Sequence, residues 1–283
     1  MKVVLFCGGL GLRIRDYSRE TPKPMVRIGT HPILWHLMQY YAHFGHRDFV
    51  LCLGYRAEMI RNYFLSRRDF ARNEELTNGG QTLKFLDRDG ADWSITFVDT
   101  GLSENIGQRL KAVQRFVDGD RVFLANYSDA LTNFPLPKLI ADLLSSDAVA
   151  SFLSVPPRQS FHVVRSNEDN RVSEITEIAE SGVLINGGFF VLRREIFDYL
   201  HEGEDLVSEP FGRLILRGKL TTLNYRGFWG CMDTFKDQQR LEELYLRGEA
   251  PWTVWRRESG SAVLSALGQQ PTPRTDIVTL PGS

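Results

Sequence analysis

The residues MKVVLFCGGLGLRIR (Met1–Arg15) decide how the chain is read. Lys2–Cys7 is a short apolar, β-branched run ending in glycines, the pattern of a buried strand. CGGLGLRIR (Cys7–Arg15) then supplies a glycine-rich turn. Such a turn, leading from a strand toward a helix, presents bare backbone N–H groups to an anion. It is no Walker loop, since GxxxxGK[ST] is absent. It is no complete dinucleotide fingerprint either, since no third glycine follows Gly9-Leu10-Gly11. Instead Arg13 and Arg15 add fixed positive charge. A tight turn with solvated arginines accounts for the same residues, so the rest of the chain must decide.

Downstream, strands and helices alternate. PILWHLMQYYAHF (Pro32–Phe44) has apolar residues at helical spacing, with Pro32 suited to a first turn and Gly45 to the stop. FVLCLG (Phe49–Gly54) reads as a strand and Arg56–Ser66 as a helix. SITFVDT is a strand, GQRLKAVQRFV a helix, RVFLANYSDA a strand running into a polar turn, PLPKLIADLLSS a helix and AVASFLSV a strand. This alternation implies right-handed βαβ units on a mostly parallel sheet flanked by helices, an α/β fold. The second half differs. VSEITEI and INGGFFVL alternate like antiparallel strands, with short helices at Arg194–Leu200 and Glu209–Leu216 and a longer one at Phe235–Arg247. A single domain is expected over 1–255, its first half about 1–130 and its second about 131–255. The Gly-, Ser- and Pro-rich stretch 256–283 reads as a disordered tail or an interface arm.

Composition narrows the function classes. The 283 residues are 42% hydrophobic and 24% charged, with a net charge of -1. A balanced charge gives no bulk pull toward nucleic acid or a membrane surface, so any anion site must be local. Cys7, Cys52 and Cys231 form no CxxC pair, which fits a reducing compartment, and Cys7 and Cys52 read as core thiols. No run reaches the roughly 18 apolar residues of a membrane span. The expectation is a soluble cytoplasmic protein.

Ligands of an open parallel sheet bind beyond the carboxyl ends of its strands. Two further segments deliver chemistry there. In TPKPMV (Thr21–Val26), Pro22 and Pro24 stiffen the backbone around Lys23, as suits a positioned phosphate ligand, although a surface lysine in a loop reads the same way. In NYSDA (Asn126–Ala130), Asp129 follows a strand and is well placed to hold Mg²⁺. Asp233, in GCMDT, precedes a helix and also suits a cap. Two carboxylates from distant segments suit a Mg²⁺–polyphosphate complex, because Mg²⁺ takes one or two carboxylates and leaves its other positions to phosphate and water.

Taken in order, GGLGLRI, PKPMV, PILWH, TG…RLK, YSD, INGGFF, MDT and APW resemble the sugar-1-phosphate nucleotidyltransferases from about Lys2 to Trp255. INGGFF with GFWxxMDT and APWxxW resembles the cytidylyl branch, glucose-1-phosphate cytidylyltransferase. The resemblance implies a Rossmann-like nucleotide-diphospho-sugar transferase fold with a smaller antiparallel sugar-binding part. It implies transfer of CMP from CTP to glucose 1-phosphate or a variant acceptor, with Mg²⁺ as cofactor, in a homo-oligomer. Gly8, Gly9, Gly11, Leu12, Arg109 and Ser128 would meet the nucleotide. Arg13 and Lys23 would be catalytic, neutralising phosphate charge. Asp129 and Asp233 would hold the metal, and Asn186 and Gly187 would touch the sugar.

Several positions depart from that pattern. Leu12 stands where relatives carry threonine, and Ser128 and Ala130 replace glycines beside Asp129. Glu177, after Thr176, occupies a region where a lysine is usual against the sugar phosphate, and a carboxylate there repels phosphate. His162, in SFHVV, replaces a glycine near the sugar. It reads either as a half-buried strand histidine or as a contact to an altered acceptor, so His162 and Glu177 join the sugar-side candidates. Two other readings stand beside the enzyme. A nucleotide-binding regulatory homologue without turnover would keep the same loop. A dinucleotide-dependent oxidoreductase would need the third glycine and a ribose-binding acid.

Overall fold

The computed structural model describes residues 1–9, 21–66, 73–77, 80–86, 92–158 and 160–256. Nine strands form one sheet. In chain order they are β1 (Lys2–Phe6), β4 (Asp48–Leu53), β5 (Asn73–Thr77), β6 (Gly80–Leu86), β7 (Asp92–Asp99), β8 (Val122–Asn126), β10 (Ala150–Val155), β13 (Ile185–Arg193) and β14 (Leu220–Asn224). Their spatial order is β14-β10-β13-β8-β1-β4-β7-β6-β5. The centre is parallel: β1 lies between β8 and β4, and β4 pairs with β7. β13 enters antiparallel between β8 and β10, while β6 and β5 add an antiparallel edge. The sheet is therefore mixed, and it runs unbroken across position 130 from the first half of the chain into the second.

β1 shows why the opening run is apolar on every residue. Val3 and Leu5 point into one core layer, Val4 and Phe6 into the other. Alternate side chains face opposite sides of a sheet, so a strand covered on both faces needs no polar positions. The first layer holds helix α1 (Ile33–His43), which buries Ile33, Leu34, Leu37, Met38 and Tyr41. Helices α2 (Ala57–Leu65) and α5 (Leu136–Ser145) join it. The second layer holds α3 (Ile106–Ala112), α4 (Gln114–Val117) and α6 (Glu209–Leu216). Cys7 and Cys52 are both buried in these layers.

One local reading changes. The single helix expected over 107–117 is two, interrupted at Val113, whose β-branched side chain is wholly buried and whose N–H tightens back to Leu110. The strands read at VSEITEI and INGGFFVL do form, but with different partners. Among the described residues β12 (Val172–Glu177) pairs only with β11 (His162–Ser166) in an exposed hairpin, whereas β13 joins the main sheet. Outside the sheet, β9 (Ala130–Thr132) pairs with β15 (Trp229–Cys231), and β2 (Arg27–Ile28) with β3 (His31–Pro32). Helix α7 (Phe235–Leu246) closes the described fold. Among the described residues no helix is long and apolar enough to cross a membrane.

Candidate active site

The β9–β15 ladder brings together two carboxylates that lie far apart in sequence. Ala130 faces Cys231 across it, and the Met232 N–H donates to the Asp129 carbonyl at 2.9 Å. Asp129 precedes Ala130 and Asp233 follows Met232, and their carboxylate oxygens come within 4.8 Å of one another. Thr234 caps α7 with its side chain accepting from the Asp237 N–H, which sets the backbone direction just after Asp233. Lys23 arrives from a one-turn 3₁₀ helix, Lys23–Met25, that starts on Pro22 and buries Pro24. Its Nζ lies 2.6 Å from Asp129 Oδ2 and 2.5 Å from Asp233 Oδ1, with the lysine side chain only 15% exposed.

The electrostatics follow from this geometry. Burial favours the neutral amine of Lys23, but Asp129, Cys231 and the hydrogen bonds to both carboxylates outweigh it and raise its pKa above the ordinary lysine value. Burial raises Asp129, and Lys23 opposes that rise. Oxygen atoms of Asp129 and Asp233 and Sγ of Cys231 all lie within 4.8 Å of one another. Two carboxylates fit a hard divalent ion such as Mg²⁺. Cys231 is the member of this cluster that the sequence reading left unassigned. Its signal was the two-residue spacing from Asp233, which puts both on one side of an extended segment.

The acids stand where two cavities meet. One, of about 410 Å³, is lined by Gly9, Lys23, Arg109, Ser128 and both acids. The other, of about 840 Å³, is lined by the acids together with Asn186, Gly187, Trp229 and residues of α7. Tyr127 borders both, and its hydroxyl accepts from Asn186 Nδ2 at 3.0 Å. Gly187 is confined: its carbonyl accepts from Trp229 Nε1 at 2.9 Å, and an added Cβ would lie 2.8 Å from the Leu153 carbonyl.

The first cavity contains an arginine bound to main chain. Arg109 is 2% exposed, and its guanidinium donates to Gly8 O at 3.1 Å, Gly101 O at 2.9 Å and Thr100 Oγ1 at 2.7 Å. Burial lowers its pKa, against the pull of Cys52 and Glu104. A Cβ on Gly8 would sit 2.0 Å from Arg109 Nη1, so the glycine exists to let the guanidinium lie on the backbone. Gly9 is exposed, and among the described residues nothing lies within 4 Å of where its Cβ would stand. Ser128 is buried in a left-handed conformation, φ 67°, and its hydroxyl donates to Phe6 O at 2.7 Å. It ties the Asp129 loop to the end of β1.

The remaining candidates separate. His162 and Glu177 are register partners on the exposed hairpin. They line an adjoining cavity of about 540 Å³ rather than the one bordered by the acids. Gly11, Leu12 and Arg13 lie outside the described residues, as does the stretch 257–283.

A model of the family described as nucleotidyl transferase matches residues 2–233. The chain belongs to the nucleotidyl transferase family. This nucleotidyltransferase is 33% identical over 260 residues to the glucose-1-phosphate cytidylyltransferase of Salmonella typhimurium, an alignment covering 90% of this chain and 100% of the relative. It is 24% identical to the mannose-1-phosphate guanyltransferase of Saccharomyces cerevisiae, across 97% of this chain and 73% of that one. The structure of HddC from Yersinia pseudotuberculosis complexed with GMP-PN shares its fold, with a TM-score of 0.59 at 22% identity, over 86% of this chain and 99% of that one. The chain is thus a sugar-1-phosphate nucleotidyltransferase with the mixed α/β sheet of that fold.

Proposed function

We propose that this nucleotidyltransferase transfers CMP from CTP to a sugar 1-phosphate, with glucose 1-phosphate or a variant of it as acceptor, releasing pyrophosphate. The observation that carries the reading is the placement of Lys23, Asp129 and Asp233 at the junction of two cavities. A two-substrate displacement needs that arrangement: one cavity for the nucleotide, one for the acceptor, and charge at the contact between them. The identity of the relative from Salmonella typhimurium supports the base and the sugar.

An oxygen of the sugar phosphate attacks the α-phosphorus in line while the pyrophosphate oxygen leaves. The attacking phosphate is ionised at neutral pH, so no residue need remove a proton. The task is to bring two anions together and hold them in line. Asp129 and Asp233 would hold Mg²⁺, which when bound neutralises phosphate charge. Lys23 is within reach of the same point, and a protonated ammonium there favours the charge that builds on the phosphoryl oxygens. Arg13 is assigned the same charge-neutralising role. Gly8, Gly9, Gly11 and Leu12 supply the loop backbone, with Arg109 and Ser128 holding that loop and the Asp129 turn in place. Asn186 and Gly187 face the sugar, and His162 and Glu177 stand at the outer rim of the acceptor side. A homo-oligomer is supported by the exposed hairpin, where Val164 and Ile175, directly opposed, are 56% and 63% exposed.

The test is pyrophosphate release across four nucleoside triphosphates and a panel of sugar 1-phosphates, with and without Mg²⁺. Release confined to CTP and dependent on the ion is the expected result. Nucleotide binding with no release under any pairing would favour the regulatory homologue instead.

A further inference from the structure

The acceptor cavity carries positive charge that nucleotidyl transfer leaves unused. Arg158 follows β10 after Pro156 and Pro157. Its Nη2 donates to Gly227 O at 2.9 Å, and its guanidinium carbon lies 5.6 Å from the centre of the Phe228 ring. Arg240 projects from α7. Both arginines line the 840 Å³ cavity bordered by Asp129 and Asp233, and both line the adjoining 540 Å³ cavity, where Arg226 is a third cation. Burial lowers the pKa of Arg158, and the nearby charge of Arg240 lowers it further.

Among the described residues no counter-ion answers this charge, and neither Arg158 nor Arg240 forms an ion pair. The other acids of the large cavity are engaged elsewhere: Asp237 accepts from the N–H groups of Asp233 and Thr234 at 3.2 and 2.8 Å, and Glu243 pairs with Arg247. Glu177 lines the smaller cavity without pairing with any arginine. Both arginines are solvent-exposed on the walls of the same two cavities, where one anion is open to both, and phosphate and carboxylate match the guanidinium fork.

Position tells which anion. Arg240 is five residues beyond Phe235, where α7 begins just after Asp233, and at about 1.5 Å of rise per residue its Cα lies roughly 7–8 Å further along the helix. The reacting phosphate belongs at Asp129 and Asp233. The arginines therefore stand away from the reacting end, at the end of a cavity with volume beyond that of a plain hexose phosphate.

We propose that Arg158 and Arg240 bind a second anionic group on the acceptor, so that the preferred acceptor is a sugar 1-phosphate carrying an additional phosphate or carboxylate remote from the reacting phosphate. This rests on the nucleotidyl-transfer reading and narrows its substrate class.

The test is titration calorimetry of the full chain with Mg²⁺ and three probes: α-D-glucose 1-phosphate, α-D-glucose 1,6-bisphosphate and α-D-glucuronic acid 1-phosphate. At least one doubly anionic probe is expected to bind about tenfold or more tightly than glucose 1-phosphate, the scale of one charge-assisted contact. Arg240→Gln should bring that affinity ratio close to one while the melting temperature stays that of the parent. A bisphosphate preference assigns the second group as phosphate, a glucuronate preference as carboxylate. Equal affinity for all three probes, no binding of either doubly anionic probe, or a loss in Arg240→Gln that falls on glucose 1-phosphate as heavily as on the others overturns the proposal. Pyrophosphate release with the same probes separates the two readings. Selective binding without release sinks the transfer reading alone, and release without selectivity sinks the arginine assignment alone.

Discussion

Lys23 Nζ lies 2.6 Å from Asp129 Oδ2, and the same ammonium reaches Asp233 at 2.5 Å. One lysine thus stands between the two carboxylates that would hold a divalent ion, in the space that ion would need. The cation and the ammonium cannot share it, so metal binding has to move Lys23 aside. A triphosphate gives the displaced ammonium an anion to follow.

This predicts opposite effects of one substitution. Lys23→Met should bind Mn²⁺ in the absence of nucleotide about tenfold tighter than the parent, because no resident cation has to be displaced. The same variant should lose on the order of 10²–10³ in turnover, the scale of one lost transition-state donor. Paramagnetic resonance of Mn²⁺ reads the first and pyrophosphate release the second. Weaker Mn²⁺ binding in the variant would show that Lys23 supports the metal site rather than filling it.

Ser128 offers a prediction about the adjacent turn. Its φ of 67° is a conformation that costs an L-residue about 1–2 kcal/mol, while its hydroxyl bond to Phe6 O contributes about 1 kcal/mol. Ser128→Ala keeps the strain and loses the bond. Ser128→Gly loses the bond and relieves the strain. The alanine variant should be the less stable of the two in urea denaturation, by about 1 kcal/mol. The reverse order would mean that the turn changes conformation when the hydroxyl is removed.

How much of this was legible depends on how local each feature is. β1 was readable because burial on both faces leaves an unbroken apolar run. α6, Glu209–Leu216, was readable from its apolar spacing. Lys23 and the two aspartates were readable as residue types, and proline on either side of Lys23 as rigidity. Partner choice was not. Alternation in VSEITE and INGGFF tells which side chains share a face, but not which strand lies alongside. The edge strand NEELT has no apolar alternation and passed unread. Arg158 and Arg240 are 82 positions apart, and only the fold brings them to one cavity. The resemblance places Arg109 at the nucleotide, and the structure adds that its guanidinium donates to backbone carbonyls. No spacing signals that, because its partners come from three separate stretches of chain, at Gly8, Leu53 and Thr100–Leu102.

The Arg109 arrangement predicts that Gly8→Ala acts at a distance. A methyl 2.0 Å from Nη1 forces the guanidinium off Gly8 O and disturbs its bonds to Gly101 and Thr100. Overpacking of this kind costs about 1–3 kcal/mol. Gly9→Ala, whose Cβ meets nothing within 4 Å among the described residues, should leave stability within about 0.5 kcal/mol of the parent. Thermal denaturation of the two variants side by side checks the contrast. Equal melting temperatures would mean that Arg109 yields without cost.

Stability should fall in mild acid because of His36. The ring is fully buried, Nε2–H donates to Ile28 O at 2.9 Å, and Nδ1 accepts from Trp252 Nε1 at 3.4 Å. Both nitrogens are satisfied only in the neutral form, and burial lowers the pKa from 6.5 to about 4. The unfolded chain takes up a proton near pH 6.5 that the folded chain refuses until about pH 4. The stability contributed by neutral His36 is therefore complete above pH 6.5 and is lost as the pH falls toward 4, by about 2 kcal/mol at pH 5. His46, also lowered to about 4 by burial, adds a similar slope and remains in any His36 variant. His36→Gln should therefore show a shallower fall in urea midpoint between pH 7 and pH 5 than the parent, although its stability at pH 7 is lower. An identical pH slope in parent and variant would assign the acid sensitivity to His46 and to carboxylates elsewhere.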